Sequence, residues 1–360
     1  MKNTILLGTR KGLIAYRNGR AGWAVENLSF EGQPVSIAYA DPRTATWWAG
    51  LDHGHWGVKL HRSADRGKNW EEVPAPAYPE GAEITDGQPA ATRYIWSMAH
   101  GGHDHHSRFW IGTDPGGLFS SHDGGASFQL VESLWNHPTR KKGWFGGGRD
   151  QPGIHSIVVD PRNEDHLHIG ISCAGIFETN DGGKNWEVRN QGLRAEFLPD
   201  PETGVGHDPH ILIAAPTDPD VLWQQNHCGI FRSVDGAGNW QEVSEPEGPA
   251  RFGFAIAVAD DDPEQAWVAP AHSDGNRTAI QGALCICRTD DGGKTWKELR
   301  QGLPQQHCFD IVYRHALASS GDALVFGTTT GNLFFSGDRG ENWETLNNYL
   351  PMVYSVQFTD

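Results

Sequence analysis

Short apolar runs alternate with clusters of Gly, Pro, Asn and Asp along the whole chain, and no apolar run reaches the length of a membrane span. The runs come in fours. The first is apolar and ends at a turn such as Asp160-Pro161-Arg162-Asn163. The second closes on Gly or a small residue, as in Trp110-Ile111-Gly112. The third leads into an Asp-containing octapeptide, and the fourth leaves it, as in Trp186-Glu187-Val188. Runs of this length, rich in β-branched and aromatic residues and bounded by turn signals, predict β-strands.

The octapeptide sets the period. Thr289-Asp290-Asp291-Gly292-Gly293-Lys294-Thr295-Trp296 recurs as Ser63–Trp70, Ser121–Phe128, Thr179–Trp186, Ser233–Trp240 and Ser336–Trp343, and a worn copy with Asn18 in place of Asp ends at Trp23. Such a segment predicts a hairpin tip in which Asp accepts backbone N–H groups, Gly supplies positive φ and the aromatic ring folds back over the turn. The steps between successive Asp (or Asn18) positions are 47, 58, 58, 54, 56 and 47 residues. Four strands plus loops fill such a period, so an all-β, seven-bladed β-propeller is expected, as one domain over residues 1–360. Thr4–Thr9 matches the second strand of the other repeats. The missing first strand is found at Met352–Phe358, so the C-terminus should complete the first blade and remove two sheet edges.

These octapeptides resemble those of Asp-box (BNR) repeat β-propellers, which include sialidases, xyloglucanases, sortilin-type receptors and photosystem assembly factors. The runs Gln224-Gln225-Asn226-His227-Cys228-Gly229, Leu198-Pro199-Asp200-Pro201 and Gly8-Thr9-Arg10-Lys11-Gly12 are similar to those of bacterial exo-sialidase-like or glycosyl-hydrolase-like proteins of this kind. The resemblance implies a sialidase site of three Arg on a carboxylate, a Tyr activated by Glu and an Asp acid. It also implies a Phe-Arg-Ile-Pro run and six blades. This chain has no such run and seven repeats, and Arg10, Arg149, Arg194, Arg251 and Tyr354 do not map onto that set, so no sialidase role is carried over.

The blade alignment places Val35, Trp96, His155, His210, Phe254, Phe309 and Tyr354 at the channel mouth, near the start of each first strand. The turns after the second strands add Arg10, Lys11, Asp52, His53, Asp114, Cys173, Asn226, His227, His272 and Thr329. Long loops at Pro74–Arg93, Glu132–Gly153, Asn190–Asp208 and His272–Gly282 should open on the same face, opposite the Asp boxes. Imidazoles on rigid strand ends can hold a divalent ion or trade protons near neutral pH. His155, His210 and His227 are therefore the expected metal ligands and, with Tyr354 and Asp208, the expected catalytic groups. Arg10, His53, Trp96, Arg149, Phe254 and His272 are expected to bind substrate. The run His100–His106 resembles a metal-binding tag but is expected on the Asp-box face, away from the mouth.

A net charge of −16 repels nucleic acid and anionic lipid, and neither is expected as a partner. Five cysteines at spacings that suggest no disulfide framework, and an N-terminal stretch too quickly charged for a signal peptide, give cytoplasmic as the expected location. The expected function is that of a hydrolase or lyase for a small polar, carbohydrate-like molecule, acting with or without a divalent metal and with no organic cofactor. The alternative is a non-catalytic propeller that binds a protein or glycan.

Overall fold

The computed structural model describes residues 2–102 and 107–360. Among the described residues there are seven four-stranded sheets, six of them meanders of consecutive strands, and the fold is a seven-bladed β-propeller. The worn first repeat differs from the rest. Its strands Gly12–Gly19 and Gly22–Ser29 pair down to Gly19 opposite Gly22, so a tight hairpin replaces the Asp-box turn. That sheet is completed by Val353–Thr359, which pairs antiparallel with Thr4–Thr9, as the sequence predicts. Phe358 and Val356 are buried there with Ile5 and Leu7.

The six intact boxes share one hydrogen-bond scheme. In the first, Ser63 Oγ donates to Asp65 Oδ1 at 2.8 Å and accepts from Gly67 N–H at 2.8 Å. Asp65 in turn accepts Asn69 N–H at 2.9 Å, and Trp70 Nε1 closes the turn by donating to Gly67 O at 3.1 Å. Hydrogen bonds from Asn69 and Ser63 hold the Asp65 carboxyl down to about 2, although the side chain is open to solvent.

The chain divides into two compact units, Met1–Ala38 with His210–Asp360, and Tyr39–Pro209. In the first unit, Trp223 and Trp267 stand in second strands, fully buried, and their Nε1 groups donate to Pro263 O and Arg339 O. In the second unit, Trp110, Leu167, Phe177 and Trp186 form a core. Three of the long loops belong to this second unit and pack on one another. Arg140 lies over Trp135, Tyr78 packs on the same ring, Arg140 Nη2 donates to Ile84 O at 3.1 Å, and Phe145 meets Phe197.

Candidate functional site

One structural device positions the mouth residues. The register of the first strand slips between Ile95 and Ser97, between Ile154 and Ser156, and between Gly253 and Ala255. Trp96, His155 and Phe254 are the bulged residues. Tyr354 is skipped in the same way between Val353 and Ser355. A β-bulge re-aims a side chain without ending the strand, so equivalent positions in different blades are turned by the same kink.

In the second unit the bulges bring three expected residues together. His155, fully buried, lies 5.8 Å from the Trp96 ring, and its Nδ1 is 2.9 Å from Ser156 Oγ. The Arg149 guanidinium sits 5.4 Å from Trp96 and 4.2 Å from Tyr94. Arg149 also pairs with Asp114 Oδ2. Asp114 Oδ1 is buried and has no hydrogen-bond partner among the described residues. Burial pushes the Asp114 carboxyl above the ordinary carboxylate range; Arg149 opposes this, and the charge of Asp150 adds to it. Pro115 and Gly116, which follow Asp114, line a cleft of about 430 Å³ together with Arg140, Trp144, Gln151 and Pro152.

Asp208 is buried in the same unit. Its Oδ1 accepts Ser172 Oγ–H at 2.9 Å and the Cys173 N–H at 3.1 Å. Cys173 packs against the loop that carries Arg149: a Cβ added at Gly147 would lie 2.3 Å from Cys173 Sγ. Glycine is required there for the loop to approach so closely. His53 is half-buried and leads into the single turn Gly54–Trp56.

In the first unit, His210 stacks on Phe254 with ring centroids 4.6 Å apart and meets His227 at 5.7 Å. Phe252 closes on both imidazoles, and Tyr313 packs edge-on against Phe254. His210 Nδ1 is 2.6 Å from Gly253 O, which fixes the proton there and leaves Nε2 as the basic nitrogen of the neutral ring. Arg277 and Arg314 stand 5.4 and 5.8 Å from the Phe254 ring. Arg10 is exposed on the Thr9–Gly12 turn, His272 is exposed in its loop, and Tyr354 is half-buried. Phe309 departs from expectation. It is 68% exposed, and the first strand of its sheet begins only at Leu317. The apolar run Cys308–Val312 reads as a strand, but its backbone bonds to loops instead, Cys308 N–H to Gly282 O and Thr329 N–H to Ile311 O.

Several groups escaped the sequence pattern. Arg277, Arg314, Phe252 and Tyr313 come from loops, where no period marks a position. His166, His168 and Glu178 form a second constellation in the second unit, with one ligand atom from each within 4.8 Å of the others. Their signal was a His-x-His alternation inside a strand. Residues 103–106 of the His100–His106 run lie outside the described residues.

Sheets, boxes and sequence define a class, the Asp-box β-propeller: residues 60–73 match the BNR-Asp box repeat family. Within that class the chain is similar to xyloglucanases and to a peptide-binding propeller. It is 25% identical to a probable oligoxyloglucan-reducing end-specific xyloglucanase of Neosartorya fischeri, over 70% of this chain and 32% of that protein. It therefore spans about a third of the length of that curated relative. The crystal structure of the Niastella koreensis GH74 enzyme superposes with a TM-score of 0.64 at 16% identity, covering 94% of this chain and 51% of that one. A structure of YCF48 bound to D1 peptide has a TM-score of 0.52 at 16% identity, covering 91% and 85%. Among the described residues, no helix is long and apolar enough to cross a membrane.

Proposed function

We propose that the protein is a carbohydrate-acting hydrolase whose proton donor is Asp114. The observation that carries this reading is the buried, unpartnered Asp114 Oδ1 beside a guanidinium and two indole or phenol rings. A carboxyl whose pKa is raised by burial is suited to the general-acid role that glycosidic bond cleavage requires. Sugar rings stack on aromatic faces while their hydroxyls take directed hydrogen bonds, and Trp96, Tyr94 and Arg149 offer both. Asp208, held by two donors, is assigned as the second carboxylate, since ordinary glycoside hydrolysis uses two. The relation to a xyloglucanase makes a glycan the preferred ligand, although that relative is much longer.

His155 supports the Trp96 wall in this reading. His210 and His227, on the Phe252–Phe254 platform, are assigned separately as holders of a divalent ion. His210 has the tautomer that such a ligand needs, because Nδ1–H is committed to a carbonyl. The chemistry such an ion supplies when bound is polarisation of a substrate oxygen. Five free cysteines fit a reducing, cytoplasmic location.

The test is hydrolysis of a panel of aryl glycosides and xyloglucan oligosaccharides by the wild type and by Asp114→Asn. Loss of about 10²- to 10⁴-fold in kcat, with the fold intact by circular dichroism, is expected. A wild type inert toward the whole panel, or an Asp114→Asn variant as fast as wild type, overturns the reading. In the first case the peptide-binding role of the YCF48 structure becomes the reading to pursue.

A further inference from the structure

Four sheets place a Trp on the second strand opposite a set position of the third: Trp48 faces Arg62, Trp110 Ser120, Trp223 Arg232 and Trp267 Arg288. In the sheet that starts with Ile154–Asp160, the same two positions hold His168 and Glu178. His166 precedes His168 by two residues on strand Asn163–Ile171, so the pleat puts both imidazoles on the face that carries Glu178. A Trp and a facing residue that is Arg in three of the four sheets have given way to two imidazoles and a carboxylate.

These side chains converge on one point. His166 Nε2 lies 2.7 Å from Glu178 Oε1, and His168 Nε2 lies 3.4 Å from the same oxygen. Ligand atoms around a tetrahedral zinc ion sit about 3.3 Å apart, so small side-chain rotations would centre an ion among them. The surroundings orient the donors. His166 Nδ1 is 2.9 Å from Asp160 Oδ2, the carboxylate partner that metal-bound imidazoles commonly have. Arg189 holds Glu178 Oε2, which leaves Oε1 facing the imidazoles, and Arg162 holds Asp160 at 2.7 Å. His168 and Glu178 are buried, while His166 is partly open, which gives an ion and a water a way in.

We propose that His166 Nε2, His168 Nε2 and Glu178 Oε1 form a binding site for a divalent transition metal of the zinc type, with Asp160 positioning His166. Two nitrogens and one oxygen suit zinc or cobalt and not calcium or magnesium, which take oxygen sets. Water fills the fourth place. The ion ties the second and third strands of this sheet together, and the proposal is independent of the hydrolase reading.

The test uses the full chain without a tag, stripped with chelator and titrated with Co²⁺ and then Zn²⁺. The expected result is one Co²⁺ per chain at this site, with the visible absorption of tetrahedral cobalt, displaced by Zn²⁺. His168→Gln and Glu178→Gln should each weaken it at least tenfold. A variant with His103, His105 and His106 all changed to Gln, and one with His210→Gln and His227→Gln, should keep it. Glu178→Gln preserves side-chain shape, so it provides the readout if His168→Gln does not fold. Absence of the tetrahedral spectrum at one equivalent of Co²⁺ overturns the proposal. So does a spectrum that survives when Glu178→Gln is combined with His210→Gln and His227→Gln, or one that disappears with the His103–His106 changes or with His210→Gln and His227→Gln alone.

Discussion

His210 Nδ1 and the carbonyl oxygen of Gly253 are 2.6 Å apart, across neighbouring first strands of the propeller. This bond holds the imidazole flat on Phe254 and fixes which nitrogen carries the proton. His210→Phe keeps a planar ring of similar size but removes the donor. The expected loss is about 1–3 kcal/mol, because a buried carbonyl loses a partner. Denaturant unfolding of the two proteins measures it. Equal midpoints would mean that Gly253 O finds another donor and that the stack alone places the ring.

Arg149 and Asp114 give a prediction about pH. Burial raises the Asp114 carboxyl, and the guanidinium pulls it back down. If Asp114 donates the proton, activity falls as pH rises through its pKa. Arg149→Met removes the opposing charge, so the alkaline limb of the kcat profile should move to higher pH while Asp114→Asn abolishes the limb with the activity. A limb that stays in place in Arg149→Met would assign it to another group.

Asp310 is buried, and its carboxyl is pushed up by that burial, against hydrogen bonds from Asn332 and Thr328. A carboxyl whose folded pKa lies above its unfolded value adds stability below the unfolded pKa and loses it as pH rises through the folded one. Asp310→Asn, which still accepts from Asn332, should therefore gain on the wild type as pH goes from about 3.5 to 7. Guanidinium midpoints at both ends check the sign. A difference that shrinks or reverses toward neutral pH would show that the hydrogen bonds outweigh burial.

The blades, their boxes and the closing strand were legible because each is a local pattern repeated at a period. A Ser, an Asp and a Gly at fixed offsets can form only one kind of turn, and Val353–Thr359 carries the apolar alternation missing near the N-terminus. The mouth residues were legible to within the bulges: Trp96, His155, Phe254 and Tyr354 stand at equivalent positions, but the kink that aims them leaves no residue signature. Phe309 misled because an apolar run says nothing about which backbone groups will accept its N–H bonds. Asp114 was visible as a residue, yet its unpartnered oxygen depends on a loop folding over it. His166 and His168 lack the density of the His100–His106 run, because a strand needs only alternate positions to bring two imidazoles to one face.

Gly8 and Ser355 meet where the first sheet is closed by the last strand. A Cβ on residue 8 would lie 2.6 Å from Ser355 Oγ, 3.0 Å from Val35 O and 3.1 Å from Ala38 N. The Ser355 hydroxyl also accepts the Ala38 N–H at 3.1 Å, so it cannot swing away without giving up that bond. Two of the three obstacles are backbone, which does not yield as a side chain does. Gly8→Ala should thus cost about 1–3 kcal/mol by overpacking. Removing Pro351–Asp360 should cost far more, since it strips Thr4–Thr9 of a whole partner strand and exposes an edge. In the double variant Gly8→Ala, Ser355→Ala, the hydroxyl clash disappears but the two backbone contacts remain, so part of the loss should return and part should not. Chemical unfolding of the four proteins decides the matter. A Gly8→Ala protein as stable as the wild type would show that the neighbours of residue 8 yield, and a truncated chain with an unchanged midpoint would show that the terminal strand is dispensable to the first sheet.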